Sequence, residues 1–186
     1  MSIAEYKSVI IKQLLLEHSR ANTEIVQAYI GTDQDKMKAL VDILLADTSK
    51  DENLKLHQRG AYALNLIGEA TPEMVNPHLK QLFKLLPSPP HEAFSRAIVR
   101  IYAFHSVPKK WQGRMADLCF TYLEDPKCAV ATKIFSMSVL LEIGREENDL
   151  LPELELIINE YYDHGTAGYK SRAKRTLKEI RKILNK

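Results

Sequence analysis

Four segments of this chain copy one another at a nearly fixed interval: HQRGAYALNLIG, FSRAIVRIYAF, TKIFSMSVLLEIG and KSRAKRTLKEI. Aligning Arg59, Arg96, Lys133 and Arg172 sets the copies about 37 to 39 residues apart. The position after each cation is mostly small (Gly60, Ala97, Ile134, Ala173). A large apolar residue follows further on, at Ile67, Phe104, Leu141 and Ile180. The segments preceding them keep the period. NPHLKQLFKLL, GRMADLCFTYL and LPELELIINEYY superpose with Pro77, Arg114 and Pro152 in register, then Leu82, Cys119 and Ile157. MKALVDILLAD is a weaker, earlier copy. Such a unit cannot bury its apolar face alone and must stack on its neighbours. The chain is therefore predicted to be all-α, a single domain formed as an α-solenoid. It would have about four helical hairpins (32–69, 70–106, 107–146 and 147–186) behind an N-terminal helical cap, residues 1–31. A single helical bundle is the competing architecture, and a period held over three steps disfavours it.

Local signals agree. Apolar residues recur at the helical period, and no stretch alternates like a strand. Ile3, Tyr6, Ile10 and Leu14 form one stripe, and a short helix from about Asn22 to Ile30 should close at Gly31. Thr71–Pro72 and Asp125–Pro126 each read as a cap followed by proline at the first helical position. Gly68, Gly144 and Gly165 stand where helices are expected to stop. PSPP (87–90) and SVP (106–108) are breaks between helices. About ten helices result.

Composition narrows the function. Apolar residues make up 45% of the chain, enough for a continuous core. No apolar run reaches the length of a membrane span, and no secretory signal opens the sequence. Cys119 and Cys128 lack metal-ligand spacing and are too few for a disulfide framework. The cytoplasm is the expected compartment. No nucleophile elbow, phosphate loop or dinucleotide fingerprint is present. His18, His57, His78, His91, His105 and His164 are scattered without a metal-binding pair. No catalytic, cofactor-binding or metal-binding residue is assigned, no cofactor is expected, and the chain is predicted not to be an enzyme. Cys119 fits a buried small hydrophobe. Cys128, near a helix start beside Lys127, is a weak candidate for a reactive thiol.

The unit length and the alternation of an A helix with a B helix resemble the HEAT repeat over most of residues 32–186. In that family a basic residue sits early in helix B, matched here by Arg59, Arg96, Lys133 and Arg172. The family's Asp six positions earlier is replaced by Asn53, Pro90, Lys127 and Thr166, of which Asn53 and Thr166 could still cap a helix. The family's helix-A proline is matched by Pro77 and Pro152 alone. The chain resembles small bacterial HEAT-like proteins of unassigned function. HEAT-repeat hydroxylases hold two irons with several His–Glu dipeptides; the one here, His91–Glu92, is read as a turn near a helix start.

Two readings of the basic ladder stay open. One cation per repeat, thickened by Arg100, Arg145 and Arg175, would make a stripe for an acidic peptide or a phosphate backbone. As framework, the same residues would tie one turn of the solenoid to the next, and this reading leads. Residues 167–186 carry eight cations against Glu179 alone, in a chain whose total charge is only +2. They are Lys170, Arg172, Lys174, Arg175, Lys178, Arg181, Lys182 and Lys186. Tyr169, Ala173, Leu177, Ile180 and Leu184 should dock this last helix, leaving the cations as a solvated cap or, second, a contact for phosphate or acidic protein. Trp111, among Lys109, Lys110 and Arg114, would stack on a base or peptide, or fold over a joint between repeats. The leading expectation is a scaffold or adapter that binds a protein or peptide through its B helices. The alternative is a nucleic-acid-binding protein distantly similar to the HEAT-like alkylpurine DNA glycosylases, though no residue matches their catalytic Asp.

Overall fold

Short polar side chains set the first helices. Ser2 and Glu5 form a reciprocal capping box at the start of α1 (Ile3–Leu16). Ser19 accepts from the Asn22 N–H at the start of α2 (Arg20–Ile30), and Asp33 accepts from Asp35 and Lys36 at the start of α3 (Gln34–Leu44). In this computed structural model, residues 1–46 and 51–184 are described, Asp51 and Glu52 by their backbone alone. The remaining α-helices are α4 (Asp51–Ala70), α5 (Leu79–Leu82), α6 (Glu92–Phe104), α7 (Gln112–Glu124), α8 (Val130–Gly144), α9 (Leu151–Tyr162) and α10 (Ala167–Leu184). Among the described residues there is no strand, so the chain is all-α as the sequence predicts.

The helices gather into two compact units, Met1–Ile101 and Tyr102–Lys186. In the first, α1 packs on α2 and α3 on α4, while α1 also packs on α3 and α2 on α4. In the second, α7 packs on α8 and α9 on α10, with α7 also on α9 and α8 on α10. Hairpin stacked on hairpin, A helix on A helix and B helix on B helix, is solenoid packing. Ile10, Leu14, Leu40, Leu44 and Leu64 fill the first core; Met115, Leu123, Met137, Leu140, Leu154 and Ile158 fill the second. Each such side chain contributes about 1.5–3 kcal/mol when fully buried. The aligned positions Leu82, Cys119 and Ile157 are all buried.

Several local expectations are corrected. The segment 72–86 is not one A helix: it consists of two short 3-10 turns, Pro72–Met74 and Asn76–His78, the single turn of α5, and further turns. Pro77 lacks the N–H that a helix begun at Pro72 would need at that position, so the helix breaks there. Val75, Leu79, Leu82, Phe83 and Leu86 are nevertheless buried, so the apolar register survives without the helix. Thr71 makes no side-chain cap. Asp125 caps a turn instead of a helix, accepting from the Lys127 N–H at 2.8 Å, and α8 begins only at Val130. Gly68 lies inside α4 rather than ending it. A Cβ there would stand 2.3 Å from Ile101 Cδ1, so a larger residue would have to push the Ile101 side chain aside. Gly31 does close α2, at φ 52°. Asn53 lies within α4, whereas Thr166 does cap α10, accepting from the Tyr169 N–H at 3.3 Å. Leu184 is exposed, Phe104 is 62% exposed, and Lys186 lies outside the described residues.

Candidate binding groove and the basic ladder

The C-terminal end of an α-helix leaves carbonyls without intrahelical partners. Two ladder cations serve such ends. Arg59 Nη1, from α4, donates to the Leu14 carbonyl in the last turn of α1 at 2.6 Å. Lys133 Nζ, from α8, donates to the Leu123 carbonyl in the last turn of α7 at 2.8 Å, with its ammonium 5.2 Å from the centre of the Tyr161 ring. Both place positive charge where the helix dipole favours it. Asn22 adds to the first of these ends, donating to the carbonyls of Gln13 and Glu17 at 2.9 Å. Arg172 Nη1 donates to Ser138 Oγ at 2.7 Å, joining α10 to α8. Arg145 pairs with Glu142 and Glu179.

Arg96 differs. Among the described residues it makes no hydrogen bond or ion pair, and it lines a groove of about 310 Å³ in the first unit. The segment before α6 ends in turns rather than helix, so no equivalent helix end is presented to it. Helical spacing builds the groove. Gln58, Ala61, Tyr62 and Asn65 project from α4, and Ala93, Arg96, Ala97 and Arg100 from α6. The three alanines keep it open. Tyr62 stands against His18, ring centres 6.2 Å apart. Arg100 is ion-paired with Glu69, so the structure brings Arg96 and Arg100 together in one wall but leaves only Arg96 uncompensated. A second depression adjoins this one, sharing Tyr62, Asn65 and Arg100 and extending to the Arg20–Glu24 ion pair on α2. Asn65 lines both; it is 6% exposed, and among the described residues its Oδ1 has no hydrogen-bond partner. An unpaired buried acceptor costs about 1–3 kcal/mol.

Sequence reasoning missed His18, Tyr62 and Asn65. The available signal was the small residue at 61, 93 and 97, on the seam between two B helices. The other candidates are not among the residues that line this groove. Arg175 is exposed on α10. Trp111 is half-buried with Lys110 Nζ 5.8 Å from its ring centre, while Lys109 turns instead to Glu146 and Glu147. His91 is a helix-start residue, its Nδ1 accepting from the Ala93 N–H at 3.1 Å. Burial pushes the Cys119 thiol up to about 12, which leaves it protonated and unreactive. His57 is fully buried against Phe94, and burial holds its pKa down to about 4. Among the described residues no group of three or more metal-ligating side chains comes together, and no helix is long and apolar enough to cross a membrane.

Stacked helical hairpins whose B helices carry framework cations define a helical-repeat scaffold. The chain matches the HEAT repeat domain over residues 10–180, nearly its whole length, and it belongs to that family. HEAT-repeat proteins are generally non-catalytic scaffolds that commonly mediate protein interactions. No curated protein and no solved structure matches the chain.

Proposed function

We propose that this protein is an adapter that binds an acidic segment of a partner protein along its B-helix surface, in the groove between α4 and α6. One observation carries the reading. Among the described residues Arg96 is a guanidinium without an anionic partner, and it shares a groove with Asn65, whose buried Oδ1 lacks a donor. A ligand that pairs with both offers an anionic oxygen and a hydrogen-bond donor, and a peptide with an acidic side chain offers both. A phosphodiester supplies acceptors for Arg96, but the donor for Asn65 would have to come from a base or sugar, whereas a peptide carries an N–H at almost every residue. Tyr62 and the alanine seam provide the apolar surface that a side chain beside the carboxylate would cover. The remaining ladder cations Arg59, Lys133 and Arg172 contribute to this function as framework.

The reading is tested with short acidic, neutral and basic peptides titrated against the purified protein. Acidic peptides should bind preferentially, Arg96→Glu should abolish the preference, and Arg175→Glu should leave it intact. Equal binding of all three classes, or an Arg96→Glu variant that still prefers acidic peptides, contradicts the reading.

A further inference from the structure

The exposed side of α10 is dominated by cations. Lys170, Lys174, Lys178 and Lys182 follow at intervals of four, which aligns them along one ridge of the helix. Like charges at that spacing destabilise a helix, whereas a face that only needed to be wet would gain from mixed signs. The acid on this helix, Glu179, pairs with Lys182 and Arg145, and Arg181 reaches Glu155. Lys174, Arg175 and Lys178 have no hydrogen bond or ion pair among the described residues. Beside them opens a shallow groove of about 660 Å³, lined by Tyr162, Asn159, Leu177, Lys174, Lys178 and Arg181. Tyr162 is half-exposed, with Lys170 Nζ 6.0 Å from its ring centre.

An aromatic face in a groove rimmed by four cations, of which Lys174 and Lys178 have no ion pair among the described residues, suits a polyanion whose units carry flat rings. We infer that α10 and the end of α9 bind single-stranded nucleic acid, with Lys174, Arg175 and Lys178 against successive phosphates and Tyr162 under a base. A membrane surface fits less well, because an interfacial helix inserts a large apolar face. Leu184 is the one large apolar side chain of α10 left exposed among the described residues. This inference does not depend on the groove between α4 and α6.

The test is fluorescence anisotropy of labelled oligo-dT and oligo-U against the full chain over a salt series. Each phosphate neutralised on a single strand contributes about −0.7 to the slope of log K against log salt. Three to five contacts give a slope of about −2 to −3.5, with Kd tighter than about 10⁻⁴ M near physiological salt. The Lys174→Gln/Arg175→Gln/Lys178→Gln variant should flatten the slope by about 2. Tyr162→Leu should weaken binding by about tenfold or more, and Arg96→Ala should leave the oligonucleotide affinity and its salt slope unchanged. Polyglutamate and phosphatidylserine vesicles serve as competitors. Weaker affinity, an unchanged slope in the triple variant, or no loss in Tyr162→Leu overturns the assignment. So does a competitor that displaces the oligonucleotides from the Arg96→Ala protein, which would make the face a general acidic-protein or membrane contact.

Discussion

Replacing Lys133 by alanine separates a framework cation from a binding one. The Lys133 side chain is 9% exposed, and its ammonium satisfies the Leu123 carbonyl at the end of α7. Alanine leaves that carbonyl without its donor, at about 1–3 kcal/mol, and removes the cation over Tyr161, worth about 0.5–2 kcal/mol. Relief of the buried charge offsets part of this loss. The net cost is about 2 kcal/mol, or a fall in melting temperature of about 4–8 °C for a chain of this size. Arg96→Ala, with no partner to lose, should stay within about 0.5 kcal/mol of wild type. Lys133→Met keeps the aliphatic stem and should fall between them. Differential scanning calorimetry with urea unfolding followed by circular dichroism reads all three variants. A Lys133→Ala protein that melts with wild type would refute the framework assignment, as would an Arg96→Ala protein that loses as much as Lys133→Ala.

Three further perturbations test the packing. His57 has a pKa of about 4 in the folded chain against 6.5 as the ordinary value, so the unfolded state binds the extra proton on acidification. Stability should therefore fall by on the order of 3 kcal/mol between pH 6.5 and pH 4 from this residue. His57→Leu should flatten that part of the unfolding free energy measured against pH; an unchanged dependence contradicts the burial. Gly68→Ala gains about 1 kcal/mol of helix propensity but forces Ile101 and Val75 aside, an overpacking cost of about 1–3 kcal/mol. Ile101→Val should recover much of any loss in the double variant, and purely additive losses would show that the two side chains do not meet. With a thiol reagent, Cys128 should react in the native protein and Cys119 only after unfolding; prompt reaction of both would contradict the buried position of Cys119.

The repeat was legible because register is written in side chains. Leu82, Cys119 and Ile157 are buried at equivalent positions although the backbone around Leu82 is a single helical turn between 3-10 turns. That irregularity was not legible, since Pro77 matches the helix-A proline that Pro152 does supply at the start of α9. Asp125–Pro126 misled for a related reason: the same two residues that start a helix also close a turn, and the choice depends on where the following chain must pack. The ladder cations were visible, but not their acceptors. Arg59 finds a carbonyl 45 residues away, Lys133 one only 10 residues away and Arg172 a serine hydroxyl 34 residues away, while Arg96 finds none among the described residues. Long-range geometry makes that distinction, and it is what sets the groove apart from the framework.

The central claim is that the groove around Arg96 is where an acidic partner segment lies. It is tested most directly by a photo-crosslinking residue placed at Tyr62, with one at the exposed Leu156 as the reference position. Crosslinking is done in the cells that make the protein, and the attached segments are sequenced by mass spectrometry. The account predicts adducts at Tyr62 whose attached segments are acidic and which disappear in the Arg96→Glu background, with none of them at Leu156. Segments without acidic character, or adducts that persist when Arg96 is reversed, would contradict it.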